Sequence, residues 1–197
     1  YDDGPEAAIG ADEIPVFVFD RRIQLDIGSR YSGYSVRMAK IKSGNVLIGQ
    51  SGGPTSVINA SLAGVMQSAA DAGVSAWGMR FGVEGLLSDT LIDLSAPSAD
   101  RLQRLRRTPS SALGSTRQKL DDGQLHTVLA RLRARDIRYL FLIGGNDTMD
   151  TIHRISSYCA SEGYELYGVG IPKTVDNDLY GTDHTPGFPS AARYIAL

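Results

Sequence analysis

Cysteine is almost absent from this sequence, since Cys159 is the only one in 197 residues. A single thiol excludes an internal disulfide and a zinc site built from several cysteines. An excess of one charge is also missing, because 20 lysines and arginines against 22 aspartates and glutamates give a net charge of −2. Such a balance provides no strong field that would attract the chain to nucleic acid or to a membrane surface.

Long apolar runs are missing as well. Runs such as Tyr139–Ile143 are far shorter than the roughly 20 residues that cross a bilayer. The N-terminal region lacks the basic stretch and apolar run of a secretory signal. With 42% hydrophobic and 21% charged residues, the composition predicts a soluble, cytoplasmic, globular protein. The length is sufficient for one α/β domain with a small appendage.

Both ends of the sequence suggest a piece of a longer protein. The chain begins with Tyr1, and its apolar-rich end, residues 191–197, predicts a helix without a stop signal. Residues 1–44 are interpreted as an N-terminal extension. Two hypotheses explain it equally well: translation upstream of a true start at Met38, or an ordinary extension. We place the folded domain at residues 45–197.

Hydrophobic patterning predicts alternating strands and helices from Asn45 onward. The predicted strands are Val46–Ile48, Val74–Met79, Tyr139–Ile143 and Leu166–Ile171, with a further short strand at Ile14–Phe19. The predicted helices are Val57–Asp71, Ser98–Arg107, Gln124–Arg135 and Met149–Ser161, and Phe81–Gly85 is predicted as a loop. Strand, glycine turn, helix and strand in succession are typical of a βαβ unit, so the pattern predicts an α/β fold with parallel strands.

Four polar loops carry residue types that suit phosphate chemistry: Gly49–Ser56, Gly114–Arg117, Gly144–Thr148 and Pro172–Asp178. Three of them follow predicted strands, and ligands of open parallel sheets bind beyond the carboxyl ends of strands. Glycines let backbone N–H groups approach an anion, and a guanidinium offers phosphate a planar fork of donors. Walker A and GxGxxG motifs are absent. Each loop alone is also explained by a plain turn. In that case Thr55 or Ser56 would cap the helix after the first loop. Asn146, Asp147 or Thr148 would cap the helix after the third loop.

Charged side chains in the last two loops predict more definite chemistry. Asp147 can supply a hard oxygen ligand to Mg²⁺. Asp176 can stay ionised near a cation and accept a proton from a substrate hydroxyl, while Lys173 can hold a phosphoryl group. The alternative for this loop is a solvated acidic turn. The histidines are too scattered to predict a metal site, and Cys159 is predicted to lie in the core.

Together these motifs resemble those of the 6-phosphofructokinases, from about Asn45 to the end of the chain. The matching segments are Gly52-Gly53 with Asn59-Ala60, Gly-Ser-x-Arg at 114–117, Gly-Gly-Asn-Asp-Thr at 144–148, Pro-Lys-Thr-Val-Asp-Asn-Asp at 172–178 and His-Thr-Pro-Gly-Phe at 184–188. The resemblance implies a three-layer, Rossmann-like sandwich around a mainly parallel sheet, as in the N-terminal domain of that family, truncated at its C-terminus. It also implies transfer of a phosphoryl group to the 1-hydroxyl of fructose 6-phosphate with Mg²⁺, a step of glycolysis.

Two residues resemble the pyrophosphate-dependent branch of the family. Asp147 stands where ATP-dependent members usually have glycine, and Lys173 matches a lysine that grips pyrophosphate. The resemblance implies that Asp176 is the general base. It implies that Thr174 binds on the sugar-phosphate side and that Asp178, also counted among the substrate-binding residues, supports the loop and the charge balance. The donor would be surrounded by Gly53, Arg117, Gly145, Asp147 and Lys173. Mg²⁺ would be the cofactor, bound through Asp147, and the enzyme would be a homo-oligomer.

Two departures from the family pattern keep alternatives open. Asn146 replaces the aspartate usually associated with Mg²⁺, and Pro54–Val57 departs from the usual first loop. The alternatives are an ATP-dependent 6-phosphofructokinase and a catalytically silent regulatory subunit that binds phosphorylated ligands. Because later acceptor residues would lie beyond Leu197, we expect little or no activity from residues 1–197 alone.

Overall fold

A computed structural model describes residues 17–18, 43–55, 57–179, 183–185 and 187–197 of the chain. Its strands are β1 (Phe17–Val18), β2 (Asn45–Gln50), β3 (Ala76–Met79), β4 (Leu91–Asp93), β5 (Ile137–Gly144) and β6 (Tyr167–Pro172). Its α-helices are α1 (Ile58–Asp71), α2 (Val83–Leu87), α3 (Ala99–Arg107), α4 (Leu125–Ala134), α5 (Asn146–Ser161) and α6 (Phe188–Ala196), with a short 3₁₀ helix at Asp122–Gln124.

The strands form one sheet in the order β1-β6-β5-β2-β3-β4. The four inner strands are parallel, whereas β1 and β4 are antiparallel edges. The chain leaves β2 toward β3 and β4, then returns on the other side of β2 to form β5. The strand order therefore reverses between β2 and β5, and such a switch point opens a crevice at the carboxyl ends of the strands.

Helices cover both faces of the sheet because the inner strands are apolar on both sides. Along β2, Val46 and Ile48 join one buried cluster with residues of α1 and α3, while Leu47 joins the opposite cluster with residues of α4 and α5. The result is the predicted three-layer α/β sandwich. Cys159 lies in the second cluster, and burial raises the pKa of its thiol to about 11.

Close packing of α5 on β6 fixes the position at which the fourth loop, Pro172–Asp178, begins. A Cβ atom added to Gly170 would lie 2.4 Å from the Met149 sulfur, so only glycine lets the helix come this near. The N-terminal turn of α5 is consequently held beside the end of β6. This contact brings the third and fourth predicted loops together.

Most predicted elements are confirmed, but several boundaries are wrong. Helix α5 begins at Asn146, so the predicted turn Gly144–Thr148 is half helix. The predicted loop Phe81–Gly85 contains the start of α2, and the three-residue strand β4 was not predicted. No side-chain cap is present at α1, whose N-cap is Val57, or at α5, whose N-cap is Gly145. Ser56 lies outside the described residues.

The ends of the chain were predicted only in part. A strand is present at Phe17–Val18, inside the predicted interval Ile14–Phe19, and the predicted terminal helix is present as α6. The rest of the interval and Met38 lie outside the described residues, so the interpretation of residues 1–44 stays a prediction. Among the helices of the described ranges, none combines the length and the apolarity needed to cross a membrane.

Candidate functional site

The first and second loops meet beside the switch point. The Gly52 N–H and the Ser51 hydroxyl both donate to the Thr116 carbonyl at 3.2 Å, and the Ser115 hydroxyl donates to the Gly52 carbonyl. Between the loops lies a cleft of about 380 Å³, and both Gly53 and Arg117 line it. Its lining is Gly52, Gly53, Pro54, Ser110, Ser111, Gly114, Ser115, Thr116 and Arg117.

The third and fourth loops adjoin this cleft through their backbones. The Lys173 N–H donates to the Gly144 carbonyl at 2.8 Å. A Cβ atom at Gly145 would lie 3.8 Å from the Lys173 carbonyl oxygen, and one at Gly52 would lie 3.9 Å from the Gly145 nitrogen. Main chain from three loops is therefore in near contact, and peptide groups of these loops border the space where they meet.

Lys173 is the buried cation of the site. Its side chain projects from the residue after β6, and only 8% of the residue is exposed. Among the described residues no carboxylate forms an ion pair with it. Burial lowers the pKa of its ammonium, because the charged form loses hydration without gaining a counter-ion.

The first turn of α5 links three of the loops. The Asn146 amide donates to the Asp178 carboxylate at 3.2 Å. The Asp147 carboxylate lies 3.7 Å from the Lys119 ammonium, and both side chains are largely exposed. An exposed pair of this kind stabilises the fold very little. It does, however, place a lysine beside Asp147, a pairing that the sequence did not predict.

The fourth loop presents Asp176 on a backbone that is held from two sides. The Asp176 N–H donates to the Thr174 hydroxyl at 3.0 Å. Asn177 adopts a left-handed backbone with φ of 58°, which asparagine tolerates. Its side chain accepts from the Thr185 N–H at 2.8 Å and donates to the Asp183 carbonyl at 3.1 Å. The backbone of Asp176 is thus anchored, while its exposed carboxylate forms no ion pair within the part of the chain that the structure describes.

The carboxylates of this edge suit a shared magnesium ion better than a protein-only metal site. No group of three or more His, Cys, Asp or Glu in the described ranges could hold a metal. Mg²⁺, however, often takes one or two carboxylates and completes its shell with water and substrate phosphates. The exposed carboxylates of Asp147, Asp176 and Asp178 fit that pattern.

All of the site residues predicted from sequence lie at this one edge of the sheet, although their roles stay predictions. Sequence reasoning assigned no role to Asn177, to Ser115, to Lys119 or to the buried amide of Gln50. An asparagine between two aspartates is a signal for a left-handed turn that could have identified Asn177. The other contacts join residues far apart in sequence, and a single sequence contains no signal for them.

Comparisons with known proteins agree with this geometry. The family model "Phosphofructokinase" matches residues 45–196. The chain is 45% identical over 155 residues to pyrophosphate–fructose 6-phosphate 1-phosphotransferase of Rhodospirillum rubrum, covering 78% of this chain and 38% of that protein. It is 42% identical over 151 residues to sulfofructose kinase of Alkalicoccus urumqiensis (77% and 39%). Identity falls to 35% over 148 residues for ATP-dependent 6-phosphofructokinase of Staphylococcus carnosus (74% and 44%).

A solved structure supports the same assignment. Pyrophosphate-dependent phosphofructokinase from Nitrosospira multiformis superposes with a TM-score of 0.72 at 41% identity, covering 78% of this chain and 39% of that one. The chain thus spans less than half the length of the relatives it matches. The resemblance inferred from the four loops is confirmed: the chain belongs to the phosphofructokinase family.

Proposed function

We propose that the protein containing this chain transfers a phosphoryl group from pyrophosphate to the 1-hydroxyl of fructose 6-phosphate, giving fructose 1,6-bisphosphate. The observation that carries the proposal is Lys173, a largely buried lysine whose pKa burial lowers and which forms no ion pair among the described residues. A desolvated, unpaired cation is costly to the fold. Its retention beside Gly144 and Gly145 is explained by an anion that binds there.

The surrounding groups favour a compact phosphate donor. The N–H groups in the first turn of α5 point toward the site, where a helix N-terminus attracts anions. Gly53 and Gly145 allow close backbone approach, while Arg117 and Lys173 supply positive charge. The Asp147 carboxylate at the same turn repels the additional phosphate of a nucleotide triphosphate. These features support pyrophosphate over ATP, as does the lower identity to the ATP-dependent relative.

Asp176 is the proposed general base. Its carboxylate accepts the proton of the sugar 1-hydroxyl as that oxygen bonds to the nearer phosphorus atom of pyrophosphate. The bridging P–O bond breaks, and its electron pair leaves with inorganic phosphate, whose charge Lys173 and Arg117 stabilise. Thr174 holds the Asp176 backbone through its hydroxyl, and we assign it to the sugar-phosphate side. Asp147 would help to hold Mg²⁺, which would supply further charge neutralisation when bound.

The remaining carboxylate serves the base loop. Asp178 accepts a hydrogen bond from Asn146, which ties the base loop to the donor side. This contact supports a positioning role for Asp178 near the sugar.

The cellular setting belongs to the same proposal. We infer a cytoplasmic homo-oligomer, as the resemblance to the phosphofructokinases implies.

A donor and acceptor assay tests the proposal on the full-length gene product. Fructose 6-phosphate and Mg²⁺ are combined with pyrophosphate or ATP. In a parallel series a sulfofructose replaces the sugar phosphate, because one relative is named a sulfofructose kinase. We expect turnover with pyrophosphate and fructose 6-phosphate, and its loss in Asp176→Ala. Turnover with ATP alone refutes the donor assignment. Failure with both donors favours the catalytically silent regulatory subunit. The loss of activity would then be attributed first to Asn146, which replaces the aspartate usually associated with Mg²⁺.

A further inference from the structure

Two completely buried amides lie directly behind the cleft. Gln50 is the last residue of β2, and Asn59 lies in the first turn of α1. Neither side chain is exposed to solvent. Buried amides are rare unless their hydrogen bonds are satisfied. The hydrogen-bond partners of this pair therefore identify the segments of the chain that it connects.

Gln50 uses both ends of its amide. The Nε2 group donates to Asn59 Oδ1 at 2.9 Å and to the Ile58 carbonyl at 3.2 Å. The Oε1 atom accepts from the Ser111 hydroxyl at 2.7 Å and from the Leu113 N–H at 2.9 Å. One side of the amide therefore binds α1, and the other binds the loop that lines the cleft.

Asn59 completes the connection. Its Oδ1 atom also accepts from the Ala112 N–H at 2.9 Å, and its Nδ2 group donates to the Thr108 carbonyl at 2.9 Å. An apolar side chain at either position would leave backbone groups of the loop buried without partners, which is strongly unfavourable. The two amides thus define the path of the loop from Thr108 to Leu113.

That path leads directly to the phosphate-facing segment. The Gly114 N–H donates to the Ser111 carbonyl at 3.1 Å and closes a turn. The next residues, Ser115 and Thr116, make the hydrogen bonds to Gly52 that form one side of the cleft. Arg117 follows immediately. The amide pair, which lies behind the cleft, therefore sets the distance between the first two loops.

We propose that Gln50 and Asn59 are positioning residues that preorganise segment 108–117 for the phosphoryl donor; this role rests on the proposed function. A glycine- and serine-rich loop loses much conformational entropy when a ligand orders it. Buried hydrogen bonds formed during folding remove that cost from the binding step. The pair touches neither donor nor acceptor and acts through Ser111, Gly114 and the residues that follow.

Hydrogen exchange tests the positioning independently of catalysis. Gln50→Met and Asn59→Ala are compared with Asn45→Ala in the full-length gene product. Asn45 lies at the opposite end of β2, where its amide donates to the Arg135 carbonyl at 2.7 Å. In the two test variants we expect the Ala112 and Leu113 amides to exchange about tenfold faster or more, while β5 stays protected. The control leaves segment 108–117 unchanged.

Steady-state kinetics tests the functional consequence. Both test variants should raise the KM for pyrophosphate by about tenfold or more, because small displacements of binding groups are costly. The KM for fructose 6-phosphate should change little, and Asn45→Ala should change neither value. If Gln50→Met does not fold, Asn59→Ala keeps all of these measurements available.

The outcomes separate this inference from the proposed function. Faster exchange confined to segment 108–117, together with a selective pyrophosphate effect, supports it. Exchange that rises equally in β5, or equal effects on both KM values, refutes a specific positioning role and leaves only general stabilisation. A protein that uses no pyrophosphate refutes the proposed function, whereas unchanged exchange at Ala112 and Leu113 refutes the positioning itself.

Discussion

Replacing Lys173 by methionine separates the stability of this fold from its affinity for the donor. Methionine keeps much of the side-chain volume and removes the ammonium. Because the buried ammonium has no ion-pair partner among the described residues, its removal should raise the free energy of unfolding of the ligand-free protein by about 1 kcal/mol. The same change should strongly weaken pyrophosphate binding.

The loss of affinity follows from the position of the charge. An ammonium about 4 Å from a phosphate oxygen contributes ~4 kcal/mol at an effective dielectric constant of about 20. Only 8% of Lys173 is exposed, so less of this attraction is spent on removing water than at a fully exposed lysine. We therefore expect the Kd for pyrophosphate to rise roughly 10²- to 10³-fold in Lys173→Met.

Lys119→Met is the matched control. Lys119 is exposed and pairs with Asp147 at 3.7 Å, so its loss should change the Kd by less than about fivefold. Calorimetric titration with pyrophosphate measures both variants, and chemical denaturation measures stability. A Lys173→Met protein that is less stable, or that binds pyrophosphate as tightly as Lys119→Met, contradicts the reasoning.

The pH dependence provides a second measurement on the same variant. Burial lowers the pKa of Lys173 in the folded protein below its ordinary value of 10.5. In the pH range between this lowered pKa and 10.5, the unfolded chain therefore binds more protons than the folded one. The free energy of unfolding contributed by this group therefore rises with pH across that window. Lys173→Met should lack the rise, and an unchanged slope there contradicts the assignment.

Three further changes test the other parts of the site. Asp176→Asn should lower kcat by about 10²- to 10⁴-fold with little change in KM, measured by steady-state assay; a large KM effect would instead indicate a binding role. Asp147→Gly should improve the ratio of ATP to pyrophosphate turnover, and an unchanged ratio contradicts the donor argument. Gly144→Ala should lower the unfolding free energy by about 1–3 kcal/mol in denaturant titration, because its Cβ would lie 2.2 Å from the Thr148 hydroxyl oxygen; wild-type stability would show that Thr148 can move.

Sequence patterns were sufficient where a single local property decides the structure. The apolar run Tyr139–Ile143 predicts β5, and helical spacing predicts α1, because burial alone selects these elements. The start of α5 was missed because its N-cap is Gly145, which offers no side-chain signal. Strand β4 was missed because three residues provide too little periodicity to recognise.

The site was predictable in its residue types and not in its contacts. The four loops could be grouped because they follow strands or share a chemistry, but Lys119 and Asp147 meet only through the packing of two loops. The link between Asn146 and Asp178 likewise depends on how close α5 packs against β6. Such contacts are decided by tertiary structure, to which a single sequence gives no direct access.

The two halves of the site differ in how firmly this chain alone holds them. On the proposed donor side, the groups are buried before any ligand binds: Gln50 and Asn59 fix the second loop, and Lys173 is only 8% exposed. On the acceptor side, Asp176 is exposed, and its backbone is held by Thr174 and Asn177. A preorganised donor site and an exposed base favour an order in which pyrophosphate binds tightly by itself. Productive alignment of the base then depends on the sugar phosphate and on whatever packs over Asp176.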